Sequence, residues 1–442
     1  MNMRNLSYIL LCMMVCTQAC RKSDYEIPVG PVVISDHGTG IGDATWRANV
    51  DYLIDGKVYV NDGQLLTIEP GAVIRFKAGE GEEAGALIVA RGGRIMAEGT
   101  EERPIVFTAE SDDLAGSLPP LTSGLWGGIY ILGSAPINTA SGEDLIEGIP
   151  SSEPRAVYGG LTSDDNSGVF KYVSIRHGGT RISDVNDING LTLGGVGSGT
   201  TIEHVEVMSC QDDGFEIFGG TVTCKYLVSA FNGDDAFDIE NGYVGRLQFL
   251  VAIQGENNGN TLVEFSDREN HPRTSPVIAN GTFIGQGSHY NRQCAVFNSS
   301  AGGYISNCLF INQDSGVAIN YQQSQLDSYT QFNNGRLSIR NNIFFDVAGN
   351  SGISVFSAYT NLGFDITSID QEVKAHFAAG QNVIYDPGIA ASAPYNLIPE
   401  NSVSDNLDEL PDGMDLVLFK GAVGSNNWVK NWTYLDQSGF LK

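Results

Sequence analysis

Short apolar runs recur along this chain, and within most runs apolar and polar residues alternate. Between residues 198 and 243 one pattern occurs twice, with an offset of 22 residues. A period in the low twenties, built of short strands separated by Gly, Asn and Asp, is typical of a β-solenoid. The pattern therefore predicts stacked coils of parallel strands. Its two copies are Ile202–Val207 with Asp212–Ile217, and Cys224–Ser229 with Asp234–Ile239.

The strand pattern extends well beyond this repeat. It starts at Val58, and a second pattern centred on Asn returns at 278–284, 305–311, 339–346 and 381–386. At this period, residues 51–442 predict an all-β parallel β-helix of about ten to twelve coils with long loop insertions. The Asn-centred pattern places Asn280, Asn307, Asn341 and Gln381 in one column. Stacked amides at a corner bond to one another and to backbone groups, so we interpret this column as structural.

Several segments interrupt the strands. Residues 20–50 predict a tether and entry segment, because Pro and Gly break any regular pattern there. Residues 134–167 predict a long insertion that projects from the side of the solenoid, and long loops on rigid scaffolds often carry function. Residues 369–379 predict a short helix. At about 415–442 we expect a cap, with Trp428 and Trp432 covering the open apolar end of the solenoid.

The amino terminus carries an export pattern. Arg4 precedes an apolar run that is too short to span a bilayer, and Thr17-Gln18-Ala19-Cys20 follows. This resembles a bacterial lipoprotein signal, which implies that residues 1–19 are removed and that Cys20 is lipidated. The polar and acidic residues 21–26 resemble the signal that sends such lipoproteins to the exterior face of the outer membrane. The lipid is then the expected membrane anchor.

Charge and cysteine usage narrow the functional classes. The formal net charge is −27, so a nucleic acid is not an expected partner. An apolar content of 42% is sufficient for an ordered core. Cys224 falls on the same coil position as Ile202, which predicts a buried thiol, whereas the sequence leaves open whether disulfides form. The other cysteines beyond the signal are Cys210, Cys294 and Cys308.

Strand alternation divides the repeated pattern into two faces. Phe215 and Ile217 are predicted to point inward, which turns Glu216 outward. Since coils stack about 4.8 Å apart, Glu216 should lie beside Asp238, and Glu240 beside Glu264. That pairing places Val263 at the position of Ile239. The turn acids Asp212 and Asp213 should lie beside Asp234 and Asp235.

Three interpretations of this acid stack remain open. The first is a solvated acidic face with Asp-rich turns. The second is a divalent cation site, most plausibly calcium, because the available ligands are hard oxygens. The metal candidates are Asp212, Asp213, Asp234, Asp235 and Asp238, and the binding candidates are Glu216, Glu240 and Glu264. The third is a catalytic site for glycans, since carboxylate pairs support glycoside hydrolysis and calcium with a base supports elimination.

The same segments resemble a family of exported right-handed parallel β-helix proteins common in Bacteroidetes and other Gram-negative bacteria. The resemblance covers nearly the whole chain after the signal and implies the right-handed fold. The broader β-helix class includes polysaccharide lyases, pectin-active hydrolases and adhesins. His177-Gly178-Gly179 departs from the Gly-His-Gly turn of the pectin-active hydrolases. The resemblance rests on Leu66–Gly71, Gly124–Ile129, Asp212–Val222, Gly233–Asp238, Asn427-Trp428 and Trp432-Thr433.

These observations predict a surface lipoprotein that acts as a non-catalytic binding or accessory module for a glycan, peptide or protein. The expected location also suggests an outer-membrane uptake or transporter complex. The alternative is a calcium-dependent polysaccharide-degrading enzyme, either a lyase or a glycoside hydrolase, that uses the stacked carboxylates. HExxH, GxSxG and a Ser/His/Asp arrangement are not found in the sequence.

Overall fold

The computed structural model describes residues 30–183, 186–255, 258–268 and 270–442. The predicted signal at 1–19 and the lipidation site Cys20 lie outside the described residues. Among the described residues, no helix combines the length and hydropathy needed to cross a bilayer. Cys210, Cys224, Cys294 and Cys308 are buried free thiols.

The chain winds as a parallel β-helix, which confirms the predicted fold. Two large sheets contain the coils, and successive coils pair in parallel. The first sheet contains Val32–Ile34, Ala44–Trp46, Tyr52–Ile54, Leu65–Ile68, Val73–Phe76, Arg94–Glu98, Ile105–Ala109, Gly168–Arg176, Thr201–Met208, Thr223–Ala230, Arg246–Ile253, Val277–Gly287, Gly303–Ser306, Leu309–Gln313, Leu337–Arg340, Ile343–Val347 and Val383–Ile384. The second contains Lys57–Val60, Ala86–Val89, Ile129–Leu132, Leu191–Gly194, Phe215–Phe218, Phe237–Glu240, Val263–Phe265, Gln293–Phe297, Ser315–Asn320 and Phe356–Tyr359.

Small elements decorate this solenoid. One hairpin pairs Asp144–Leu145 with Val157–Tyr158, and another pairs Arg181–Ser183 with Asn186–Asp187. The α-helices are α1 (Ser328–Asn333), α2 (Thr367–Ala379) and α3 (Tyr434–Gln437). Short 3-10 turns lie at Gly81–Glu83, Pro154–Ala156 and Ala348–Asn350.

Each coil has three faces, because the long strands of the first sheet bend in the middle. We call the halves before the bend the first face, the halves after it the second face, and the ten-stranded sheet the third face. The bend residues have left-handed backbone, with φ between 48° and 60°. They are Tyr172, His204, Tyr226, Phe249, Asn280, Asn307, Asn341 and Gln381. The predicted amide column is therefore the second half of a longer column that begins with aromatic rings.

Aromatic rings at the bend offset part of the backbone cost. A left-handed residue other than Gly costs about 1–2 kcal/mol. The rings of Tyr172 and Tyr226 each stack on His204 with centroids 4.3 Å apart, and Phe249 continues the stack at 4.7 Å from Tyr226. Such stacking contributes about 0.5–1.5 kcal/mol per pair beyond the buried area.

The interior is packed by inward residues that stack from coil to coil. Phe215 lies against Phe237, with ring centroids 5.2 Å apart and planes within 14°. Both rings belong to one continuous apolar core that runs the length of the solenoid. Cys224 is part of this core beside Ile202 and Leu247, as the repeat predicts.

The predicted entry segment and the predicted insertion at 134–167 both pack against the coils, which the sequence did not predict. Val32–Ile34 pairs with Tyr52–Ile54, and Ala44–Trp46 pairs with Leu65–Ile68, so part of the predicted entry segment belongs to the solenoid. The insertion at 134–167 does not project from the side. It folds back onto the third face, because buried residues such as Ile146 require apolar neighbours there.

The carboxyl-terminal region differs from the predicted end cap. Helix α2 packs against the last strands and contributes Val373 to the core, so it is α2 that covers the open end. Residues 385–442, which we call the C-terminal strap, run back along the second face. They bury a second apolar cluster there, and Asn431 of the strap reaches Glu101 near the start of the solenoid. Trp432 is fully buried on this side surface because it packs against the bend rings.

Polar contacts attach the strap to the coils. Asn280 Nδ2 donates to the Phe419 carbonyl at 2.9 Å, and Asn307 Nδ2 donates to the Asp408 carbonyl at 3.2 Å. Glu206 is fully buried and accepts the backbone N–H groups of Tyr434 and Leu435 at 2.7 and 2.8 Å. One carboxylate thus accepts the first two N–H groups of α3, and Thr433 Oγ1 accepts that of Asp436.

Replacing Glu206 with Ala should detach the end of the strap. The change leaves two buried N–H groups without acceptors, and removing one member of a buried charged network costs roughly 3–5 kcal/mol. Limited proteolysis should then cut the strap while the coils stay intact. Glu203→Ala on the same strand is the matched control, because its half-exposed pair with Lys171 contributes about 1 kcal/mol or less. Equal protease resistance in both variants would contradict this role for Glu206.

Candidate functional site

A ladder of outward side chains crosses the third face. Parallel register places Thr192 beside Glu216, and Glu216 beside Asp238. Asp238 is paired in turn with Glu264. The neighbouring positions Phe215 and Phe237 point into the core, so the ladder lies on the outer surface, as strand alternation predicts.

The register of the third copy corrects one prediction. Glu264 lies beside Asp238 rather than beside Glu240, and Phe265 rather than Val263 takes the position of Ile239. The backbone N–H of Asn260 donates to the Asp234 carbonyl, which places Asn260 one coil above Asp234. The spacing between these two copies is therefore 26 residues, since Asn260 follows Asp234 by that number. One additional residue lies before Arg246, and the others lie between Ile253 and Asn260. Their even total leaves the strand alternation unchanged.

The turn before each strand supplies the second set of carboxylates. The backbone N–H of Asp235 donates to Asp213 Oδ1 at 2.8 Å, and the N–H of Thr261 donates to Asp235 Oδ1 at 2.6 Å. A Cβ at Gly214 would lie 2.3 Å from Ser229 Oγ and 2.9 Å from the Ala236 carbonyl oxygen. The turn therefore packs directly on the next coil, and its carboxylates are held in register.

Together these side chains line a cavity of about 350 Å³, which we call the acidic groove. Its lining comprises nine carboxylates and two amides, and no Lys, Arg or His is among the described residues that line it. Glu240, although predicted as a binding residue, is not part of the lining. The lining residues are Glu147, Asp187, Asn189, Asp212, Asp213, Glu216, Asp234, Asp235, Asp238, Asn260 and Glu264.

Four of these residues were missed by sequence reasoning. Glu147 comes from the side insertion and Asp187 from the second hairpin, so neither follows the repeat. Asn189 immediately precedes a third-face coil and donates to Glu147 Oε1 at 3.0 Å and also to Glu216 Oε2. Asn260 was detectable, because it occupies the turn position of Asp234 once the 26-residue spacing is recognised.

The carboxylates are shielded rather than solvated. Glu216, Asp213 and Asp235 are 5%, 8% and 4% exposed. The interpretation of a fully solvated acidic face therefore does not hold for the centre of the groove. At about 4 Å, two like charges repel by roughly 4 kcal/mol at an effective dielectric of 20. Nine carboxylates in one cavity must hold protons or cations.

Burial is the main cause of raised carboxyl pKa values in the groove. It raises the pKa of Asp212 to about 7, with the Asp187 carboxylate adding to the effect. It also raises the pKa of Glu216 well above its usual range, with Glu147 as the next cause. The pKa values of Asp213 and Asp238 rise well above their usual range for the same reason, and neighbouring carboxylates add to both. Beside the groove, burial raises the pKa of Glu240 to about 7.

Two groups of oxygen atoms have the spacing of cation ligands. Asp212, Asp213 and Asp234 offer carboxylate oxygens within 4.8 Å of one another. Asp213, Glu216 and Asp238 form a second such group. Asp213 belongs to both, so it is the residue on which any bound cation would depend most. Oxygen ligands of this kind fit calcium, which takes about six to eight of them at about 2.3–2.6 Å.

Two buried polar atoms on the same ladder have no hydrogen-bond partner among the residues that the structure describes. They are Thr192 Oγ1, on a fully buried side chain, and Asp238 Oδ1. Buried polar atoms are usually paired, and an unpaired one costs about 1–3 kcal/mol. Both atoms flank Glu216 in the ladder, so a ligand or cation bound there would find acceptors in place.

A comparison with protein families agrees with the fold. The model of the pectate-lyase-like beta helix domain matches residues 38–383, which include the whole acidic groove and end before the C-terminal strap. Neither a curated protein nor a solved structure matches the chain. Since the family model spans most of the sequence, the chain belongs to the pectate-lyase-like beta-helix domain family.

Proposed function

We propose that the protein is a glycan-binding module whose acidic groove holds a divalent cation, with calcium as the first candidate. The observation that carries the proposal is the position of Asp213 in two groups of closely spaced carboxylate oxygens within one shielded cavity. A cation there neutralises charges that otherwise have to be protonated.

The chemistry of the lining supports calcium over softer metals. The lining consists of carboxylates and amides, which are hard oxygen ligands. Zinc and copper prefer nitrogen and sulfur, and no His or Cys is among the described lining residues. Calcium also tolerates variable ligand geometry better than magnesium does, so the group Asp213, Glu216 and Asp238 need not form an octahedron to hold it.

A glycan fits this groove better than a peptide or protein partner does. The lining is polar throughout, whereas protein interfaces centre on buried apolar and aromatic anchors. Sugar hydroxyl and carboxylate oxygens are hard ligands that can complete the shell of a bound cation. Without a cation, the nine carboxylates would repel an acidic glycan. Membership of the pectate-lyase-like family is compatible with this class of ligand.

One observation favours degradation of polysaccharides as a second candidate function. A general acid works best with a pKa near the operating pH, and burial raises the pKa of Asp212 to about 7. Carboxyl pairs such as Glu147 and Glu216 are the groups that glycoside hydrolysis requires. Binding remains the first proposal, because no described side chain in the groove is distinguished as a nucleophile or base.

A glycan panel separates the two functions. The full chain is tested by affinity electrophoresis on polygalacturonate, alginate and a neutral glucan, with calcium or with EDTA. We expect calcium to strengthen retention on an acidic glycan about tenfold or more, which corresponds to about 1.4 kcal/mol. No new reducing ends or unsaturated products should appear.

Two results would contradict the proposal, and each would contradict a different part of it. Turnover that disappears in Asp235→Asn and Asp238→Asn would replace the binding proposal with the enzymatic one. Retention that is equal with calcium and with EDTA would contradict the cation bridge. Asp412→Asn, at an exposed position on the strap, is the control for a general effect of charge.

We also propose that the protein is lipid-anchored at Cys20 and faces the exterior of an outer membrane, in association with an uptake or transporter complex. The support is the signal-like sequence of residues 1–26. Fatty-acid labelling that persists in Cys20→Ala would contradict the anchor.

A further inference from the structure

A second cavity lies where the last coils of the first sheet meet the C-terminal strap. It has a volume of about 360 Å³ and is formed between the last coils and the C-terminal strap. Its apolar side is formed by Ile343, Val383, Ile384 and Val403, and Lys420 lines the same cavity. Three polar side chains and Tyr385 complete the lining; the polar residues are Ser402, Asp405 and Asn406.

Lys420 is an unusual residue to find in such a place. Its side chain is 2% exposed, and its amine makes no hydrogen bond or ion pair with any part of the chain that the structure describes. An ammonium group has three N–H donors, and a lysine is almost never buried without a partner. Burial has the largest effect on the pKa of Lys420, and the effects of Asp405, Asp408 and the Cys308 thiol are smaller.

We propose that Lys420 is a reactive amine that holds a small neutral aldehyde or ketone as an imine inside this cavity. The nitrogen lone pair attacks the carbonyl carbon, so a C–N bond forms while the second bond of the C=O group breaks, and a proton passes from nitrogen to the oxygen. The resulting carbinolamine takes up a proton from solvent and loses its hydroxyl group as water, which leaves a protonated C=N bond in place of the C–O bond. Asp405 lines the same cavity as Lys420, so a carboxylate lies near the cationic imine that results.

The surroundings of Lys420 favour nucleophilic chemistry. Burial among apolar side chains lowers the pKa of Lys420 to about 8. Roughly a tenth of such an amine is uncharged at pH 7, against about one part in a few thousand for an ordinary lysine. Desolvated lysines in apolar pockets are the usual nucleophiles in imine formation.

The charge around the cavity selects a neutral ligand. Asp405 and Asp408 lie near the amine, and the chain has a net charge of −27, so an anionic carbonyl compound is disfavoured. The apolar side of the cavity favours a short hydrocarbon portion next to the carbonyl group. This site is independent of the acidic groove, since none of its residues lines that groove.

Reductive trapping in the unmodified full chain tests the proposal. The protein is treated with propanal and cyanoborohydride at pH 7, and each lysine is quantified by peptide mass spectrometry. Lys420 should gain one propyl group at least tenfold faster than Lys430 on the same strap. Glyoxylate, which is anionic, should label Lys420 more slowly than propanal, and aldehydes carried on dextran should leave it unlabelled.

Three outcomes would overturn the proposal. The first is labelling of Lys420 no faster than Lys430 in the folded protein. The second is a preference for Lys420 that persists unchanged in denaturant, because the cavity is then not required. The third is equal labelling by propanal and by dextran aldehydes, because the amine is then on an open surface. The test uses the native chain, so it does not depend on whether Lys420→Met folds; that variant serves only to assign the labelled peptide.

Discussion

Replacing Asp213 with Asn is expected to raise the Tm of the metal-free protein and to abolish the further rise in Tm that calcium produces. The two effects have opposite signs because Asp213 has opposite roles in the two states. Without a cation, folding must either protonate Asp213 or hold its charge beside other carboxylates, so its removal relieves about 1–4 kcal/mol of this cost. With a cation it is the carboxylate shared by both ligand groups.

The substitution is conservative in structure. Asn keeps an oxygen that can accept the Asp235 N–H, so the turn should retain its backbone geometry. For the unsubstituted protein, free calcium at 100 times its Kd should add about 2.7 kcal/mol of stability. Differential scanning calorimetry in EDTA and in calcium measures both changes, with Asp412→Asn as the exposed control. A calcium shift of equal size in Asp213→Asn and in the unsubstituted protein would contradict the proposed cation site.

In EDTA, the protein should be more stable at pH 5 than at pH 8, with a Tm lower by roughly 5 °C at the higher pH. Folding raises the pKa values of the groove carboxyls, and those of Asp212 and Glu240 reach about 7. The folded state then binds protons that the unfolded chain releases above about pH 4. The resulting stability is complete below about pH 4 and is lost as the pH rises through about 7.

Calcium should reverse this trend. A cation replaces the protons in the groove, so it should restore Tm strongly at pH 8 and weakly at pH 5, where protons compete for the same oxygens. Thermal unfolding at both pH values, with EDTA and with calcium, gives the four measurements required. A metal-free Tm that stays constant or rises between pH 5 and pH 8 would show that the carboxyls are not shielded as described.

The repeat predicted most of the fold because residues one repeat apart contact each other in neighbouring coils. The 22-residue offset places Phe215 on Phe237 and Glu216 on Asp238, and alternation separates core from surface without further information. The same rule failed at Glu264, because the prediction allowed 24 residues between the second and third copies, whereas the observed spacing is 26. Register inside a solenoid is local and must be re-established after every loop of new length.

Other features of the groove depend on contacts that no local pattern records. Glu147 reaches the ladder because the side insertion folds back onto the third face, and its apolar residues become buried only through that contact. The prediction that Trp432 covers the end of the solenoid was wrong for a related reason. An exposed apolar end and an exposed apolar side both need covering, and the sequence of the strap does not show which one it covers.

The route of the C-terminal strap has a consequence for the order in which the molecule can be assembled. Coils form between neighbours in sequence, so they can form progressively as the chain emerges. Leu435 of the strap packs on Met208 and its neighbours, and Asn431 meets Glu101 only after more than three hundred intervening residues are in place. A chain interrupted before the strap would therefore present a continuous apolar strip along one side, the kind of surface by which unfinished proteins aggregate.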